Sequence, residues 1–302
     1  MNVLDHLTTP VMSNAILHTA AYADVFDYPL TSAEIHRYLI GIHASQDAVE
    51  QSLQDVKTLT YVDGYYTLPG REALAGVRRQ REQAAARLWP QAIHYGRFIA
   101  SLPFVRMLAV TGSLAMNNIN DTPDIDYLIV TSTNRLWMCR VMVLAVVRLA
   151  SLKGVRLCPN YLISERALVF PDRSLYSAHE LAQMIPLFGM PIYAMICNLN
   201  RWRKYFLPNA DGVPPLRYGI PGLESAPGIQ SLMESALLTP PGDWFEHWEM
   251  ERKIRKLSFE QAGSPESSFS ADYCKGHFNR HRQRTEQILR KRLESLSLEY
   301  TT

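Results

Sequence analysis

The stretch AVTGSLAMNNINDTPDIDYLIVT, Ala109 to Thr131, decides how this chain is read. Apolar, strand-like residues run into Thr111-Gly112-Ser113. A polar loop rich in turn residues follows, and a second apolar strand opens with Asp124 and Asp126. Alternate side chains of a strand face one way, so the two carboxylates share a face with Cα atoms about 6.6 Å apart. Ile125, Leu128 and Val130 are expected to hold the opposite face in the core. Like charges this close repel, and burying them unpaired is costly. A divalent cation removes that penalty. Mg²⁺ (or Mn²⁺) takes one or two carboxylates together with substrate phosphate oxygens. Gly112 lets backbone approach a phosphate with no Cβ in the way. Ser113 adds a hydroxyl, and the N–H groups of the turn offer an anion-binding concavity.

Outward from this stretch the pattern alternates. FVRMLAVTG and IDYLIVT read as strands, RLWMCRVMVLAVVRLASLKG as a long helix closed by Gly154, and VRLCPNYLIS as a third strand. Such alternation points to an α/β (α+β) core with a mixed sheet over residues 102–175. From 176 to 302 the chain is expected to be a helical C-terminal region, including SAHELAQMIPLF, MPIYAMICNLNRWRKYF and two basic helices. Trp244 and Trp248, one turn apart on one of them, are expected in the core. The run DYCKGHF gathers Lys275, Gly276 and His277 where a helix is expected to begin, a place that suits a phosphate.

The strand, Gly-Ser, ten-residue loop and Asp-x-Asp order resembles the polymerase-β-like nucleotidyltransferase superfamily over roughly residues 100–170. The resemblance implies that Gly112 and Ser113 hold a nucleoside triphosphate and that Asp124 and Asp126 bind Mg²⁺. It implies transfer of a nucleoside monophosphate to an acceptor hydroxyl of unknown kind: a small molecule, a protein or an RNA end. Two departures stand out. Met116 occupies a position where many members carry a basic residue. Asn160, on the third strand, stands where a third carboxylate is common, and an amide cannot take a proton as a carboxylate can. Asn160 is then expected to orient substrate or to ligate metal through its carbonyl oxygen, with Glu165 or Asp172 as the base. The alternative is a catalytically degenerate member of the fold that binds nucleotide or serves as a scaffolding or regulatory module.

Residues 1–70 read as three helices and a hairpin turning at Asp63-Gly64, with a capping-box pattern at Thr31 and Glu34. That order resembles a winged-helix domain. DNA is an unfavourable partner, because Arg37 and Lys57 face eight acidic residues in this segment, and such a surface repels phosphates. Packing within the chain or against a protein partner is the expected role. Residues 71–101 form a basic linker helix interrupted or kinked at Pro90, read either as a solvated face or as a phosphate-facing wall.

Composition excludes little else. The net charge of +2 argues for neither nucleic acid nor an acidic membrane surface. Cys139, Cys158, Cys197 and Cys274 lie far apart, which argues against a zinc site and fits reduced thiols in a cytoplasmic protein. The opening MNVLDHLTTPVMS lacks a basic n-region and a long apolar core, so no secretory leader is expected. Leu136 to Leu152 is apolar, but it carries Arg140 and Arg148 and is too short for a bilayer span.

Overall fold

A computed structural model describes residues 3–120, 123–215, 227–260, 268–275 and 281–298. Helices α1 (Val3–Asp24), α2 (Ser32–Arg37) and α3 (Gln46–Asp55) come first, then a hairpin of β1 (Thr60–Val62) and β2 (Tyr65–Thr67). The Thr31 hydroxyl accepts the Glu34 N–H, and the Glu34 carboxylate accepts the Thr31 N–H, so the capping box closes α2 as its sequence dictates. Asp63 and Gly64 both take positive φ, which the tight hairpin turn requires. Ile16, Ile35, Leu39 and Val49 lie at the centre of this module's core.

Helix α4 (Leu74–Ala100) runs unbroken through Pro90. Arg87 and Arg97 on it are exposed, as a solvated face requires, but Arg78 and Arg79, together with Arg71 just before the helix, meet carboxylates of the preceding module. Arg71 pairs with Asp24 and Asp27, Arg78 with Glu34 and Glu82, and Arg79 with Asp63. The basic helix neutralises the acidic module that precedes it.

The central sheet is mixed, in the order β6-β3-β4-β5-β8-β7. It comprises β3 (Val105–Thr111), β4 (Ile125–Thr131), β5 (Leu157–Ser164), β6 (Ile185–Phe188), β7 (Ser268–Phe269) and β8 (Tyr273–Lys275). β3 is antiparallel to β4 and β6, β4 is parallel to β5, and β5 is antiparallel to β8. Thus the region after 176 is not helical throughout: three of its segments complete the sheet. IPLF, expected in a helix, is a short apolar edge strand, a position that tolerates Pro186.

The remaining helices are α5 (Gly112–Ala115), α6 (Leu136–Ser151), α7 (Leu175–Gln183), α8 (Met190–Leu199), α9 (Arg203–Phe206), α10 (Pro227–Leu237), α11 (Pro240–Glu260) and α12 (His281–Ser295). One face of the sheet packs with α4, α6 and α11, and the other with α7 and α8. β4 is buried from end to end. Ile125, Tyr127 and Ile129 enter the first core; Leu128 and Val130 enter the second. That corrects the expected pairing of Ile125 with Leu128 and Val130. The strand period of two puts Leu128 and Val130 on the face of Asp126. No helix among the described residues is long and apolar enough to cross a membrane.

Candidate functional site

Asp126 sits opposite Thr111 in the β3–β4 ladder and opposite Cys158 in the β4–β5 ladder. The pairing then slips: Leu128 faces Tyr161, so β5 spends one extra residue at Pro159-Asn160. Pro159 has no N–H to give a ladder, and a bulge of this kind re-aims its neighbour. The Asn160 amide donates to Asp126 Oδ1, and the Cys158 thiol donates to Asn160 Oδ1 at 2.9 Å. Asn160 therefore turns its N–H₂, not its carbonyl oxygen, toward the aspartate.

One oxygen each of Asp124 and Asp126 and the Cys158 sulfur lie within 4.8 Å of one another. The sequence missed Cys158, because its spacing from the other cysteines carried no metal signature. Burial pushes the Asp126 carboxyl up to about 7, and the charge of Asp124 pushes the same way. Burial also pushes the Cys158 thiol up to about 12, with both aspartates adding to it, so it stands as a neutral thiol. Neither aspartate forms an ion pair with a cation among the described residues.

Gly112 begins α5 with φ +65°, and a Cβ placed there would lie 2.3 Å from Asp126 Oδ2. Only glycine lets the turn close on the carboxylate. Ser113 follows on this four-residue helix. Met116 packs on the N-terminal module, its sulfur 3.7 Å from the Tyr38 hydroxyl.

A third carboxylate does approach, from α7 rather than from a strand. Glu180 lines a small cavity of about 30 Å³ with Thr111, Gly112, Asn160, Tyr161 and Ser177, and its charge is felt by Asp126. Burial raises its carboxyl, while Lys275 and the hydroxyls of Tyr176 and Tyr161 pull it down; the first prevails. Lys275 does not begin a helix. It ends β8 opposite Tyr161, with Nζ 4.7 Å from that ring's centroid. The helix beyond it begins at His281, and His277 lies outside the described residues.

The two alternative bases are displaced. Glu165 follows Ser164, which pairs with Thr131, so it lies at the far end of the strands, about 17 Å along β4 from Asp126. Asp172 is held by Arg282 at 2.8 Å and by the Ser177 hydroxyl at 2.7 Å. Comparison with protein families, with curated proteins and with solved structures finds no match to this chain.

Proposed function

We propose that the chain is a divalent-metal-dependent nucleotidyltransferase on a polymerase-β-like core, moving a nucleoside monophosphate to an acceptor hydroxyl with release of pyrophosphate. The observation that carries this reading is the Asp124–Asp126 pair, two crowded carboxylates with no counter-cation among the described residues and a glycine pressed against one of them. The pair fits a hard divalent ion such as Mg²⁺ or Mn²⁺, which prefers carboxylate oxygens to the sulfur of the nearby Cys158. Bound there, the ion would neutralise triphosphate charge and polarise the transferred phosphoryl group.

The chain's own residues have distinct tasks in this scheme. Gly112 and Ser113 bring backbone N–H groups and a hydroxyl to the phosphates. Asn160 fixes the Asp126 carboxylate by its amide hydrogen bond. Glu180, held above the ordinary carboxyl range by burial, takes the proton of the acceptor hydroxyl. Residues 1–70 act as a winged-helix-like packing module rather than a DNA reader, since α4 occupies their charged surface.

A second reading, a catalytically silent nucleotide-binding or scaffolding protein, is favoured by Met116. Its side chain is committed to Tyr38 and supplies no charge to a triphosphate. One assay separates the two. Millimolar nucleoside triphosphate with Mg²⁺ should raise the melting temperature by several degrees, and Asp124→Ala or Asp126→Ala should abolish the rise. Pyrophosphate release in the presence of hydroxyl acceptors marks the enzyme; a thermal shift without release marks the silent protein. No shift at all in the wild type would sink both.

A further inference from the structure

Helix α11 presents two faces of opposite character. Inward, Phe245, Met250, Ile254 and Leu257 pack on the core beneath the sheet. The buried Glu246 accepts the N–H groups of Trp137 at 2.9 Å and Met138 at 2.7 Å, which locks α11 to the start of α6. Outward, positions 244, 247, 248, 251, 252, 255, 256 and 259 follow the helical period and are all exposed. Trp244 is 65% exposed, Trp248 45% and Phe259 86%, so the expectation that the tryptophans are core is overturned. Spacing of one turn sets which residues share a face, not which face is covered.

The exposed stripe is organised. The Trp244 and Trp248 rings stack at 6.0 Å with an interplanar angle of 12°. The Arg252 guanidinium lies 5.1 Å from the Trp248 centroid while bonded to the buried Glu249. Arg255 and Lys256 follow in the next turn, and Glu251 is the one carboxylate on the stripe. Partial burial and then the cations Arg252, Arg140 and Lys256 hold the neighbouring Lys253 ammonium below its ordinary range, a sign of a crowded positive field.

We infer that the outer face of α11 binds single-stranded nucleic acid, with Trp244 and Trp248 stacking on bases and Arg252, Arg255 and Lys256 meeting phosphates. Two stacked planar rings are followed along one line by three cations, at about 5.4 Å per turn. A single strand offers π faces and a negative charge at every nucleotide, and both are used here. An acidic peptide offers the charge without the planes. A bilayer surface needs a continuous apolar face to enter it, and here Arg252, Arg255 and Lys256 separate the tryptophans from Phe259. A second copy of the same face would bring like charges together. The stripe lies behind the core opposite the face of Asp126, so it stands apart from the carboxylate pair.

The test is fluorescence anisotropy of a labelled 20-nucleotide oligouridine titrated with the full chain at about 50 mM salt. Binding in the micromolar range that weakens with salt is expected. Trp244→Ala/Trp248→Ala should weaken it at least about ten-fold. Arg255→Gln/Lys256→Gln should lower the log–log salt slope by about 1.4. Asp124→Asn/Asp126→Asn should leave it unchanged, which separates this surface from the metal site. No binding up to about 100 µM protein, or binding that neither α11 variant weakens, would overturn the inference. So would tighter binding to phosphatidylserine vesicles, or self-association that disappears with the tryptophans.

Discussion

Two groups of acids in this molecule have opposite fates. Asp24 and Asp27 of the N-terminal module are met by Arg71, just before α4, Glu34 and Asp63 by Arg78 and Arg79 of α4, and Asp24 also by Arg292 at 2.8 Å. Burial raises the Glu34 carboxyl, yet Arg78, Thr31 and Tyr28 outweigh it and hold it below the ordinary range. Asp124 and Asp126 crowd together with no such partner among the described residues, and Asp126 lies well above that range. Asp24 and Asp126 are both drawn out of water, while Asp27 and Asp63 stay about half exposed. The first group is a finished structure; the second has no counter-cation among the described residues, and the proposed metal site rests on that difference.

The sharpest way to break the comparison is at Arg78, which is 4% exposed and bonded to Glu34 at 2.7 Å and to Glu82 at 2.9 Å. Arg78→Met leaves the half-buried Glu34 and Glu82 carboxylates without their cation and should cost about 3 kcal/mol in denaturant unfolding. A cost below about 1 kcal/mol would mean that the arginines are incidental.

His179 tests the junction between the two regions, where α7 meets α1 and its ring stacks on Tyr22 at 3.9 Å. Burial lowers its imidazole to about 4. Its folded pKa lies below the unfolded value, so its contribution is complete above about pH 6.5 and is lost as pH falls toward 4, up to about 3 kcal/mol. His179→Leu should remove that acid slope in equilibrium unfolding followed across pH.

Asp126 has the opposite sign. Its folded pKa, about 7, exceeds the unfolded value, so the metal-free protein loses stability as pH rises from about 4 to about 7. Asp126→Asn should therefore stabilise the metal-free protein at pH 8 by about 2 kcal/mol, while it removes any response to metal. Destabilisation by that substitution would place Asp126 with the structural acids instead. The smallest effect belongs to Thr31→Ala, which opens the capping box of α2 at a cost of about 1 kcal/mol in thermal unfolding.

Much of this was legible locally. The capping box, the Asp63-Gly64 turn and the two strands flanking Gly112 are written in adjacent residues, because each depends on φ preferences and a period of two or 3.6. Glu180 was not, because α7 delivers it to the β4 terminus from 54 positions downstream, and in SAHELAQ it reads as an ordinary helical glutamate. IPLF was misread because four apolar residues carry too little periodicity to separate strand from helix. The arginines of α4 were visible as charge, but their partners exist only once the module folds back on the helix. Lys275 was assigned to a helix start because Gly276-His277 follows it; pairing with β5 claims it first.

The most direct test of the central claim is titration calorimetry of Mn²⁺ into the full chain with a non-hydrolysable nucleoside triphosphate present. Saturable binding should appear in the wild type, persist in Arg78→Met under conditions where that variant remains folded, and vanish in Asp124→Asn/Asp126→Asn. Equal Mn²⁺ binding by the wild type and the double aspartate variant would contradict the claim.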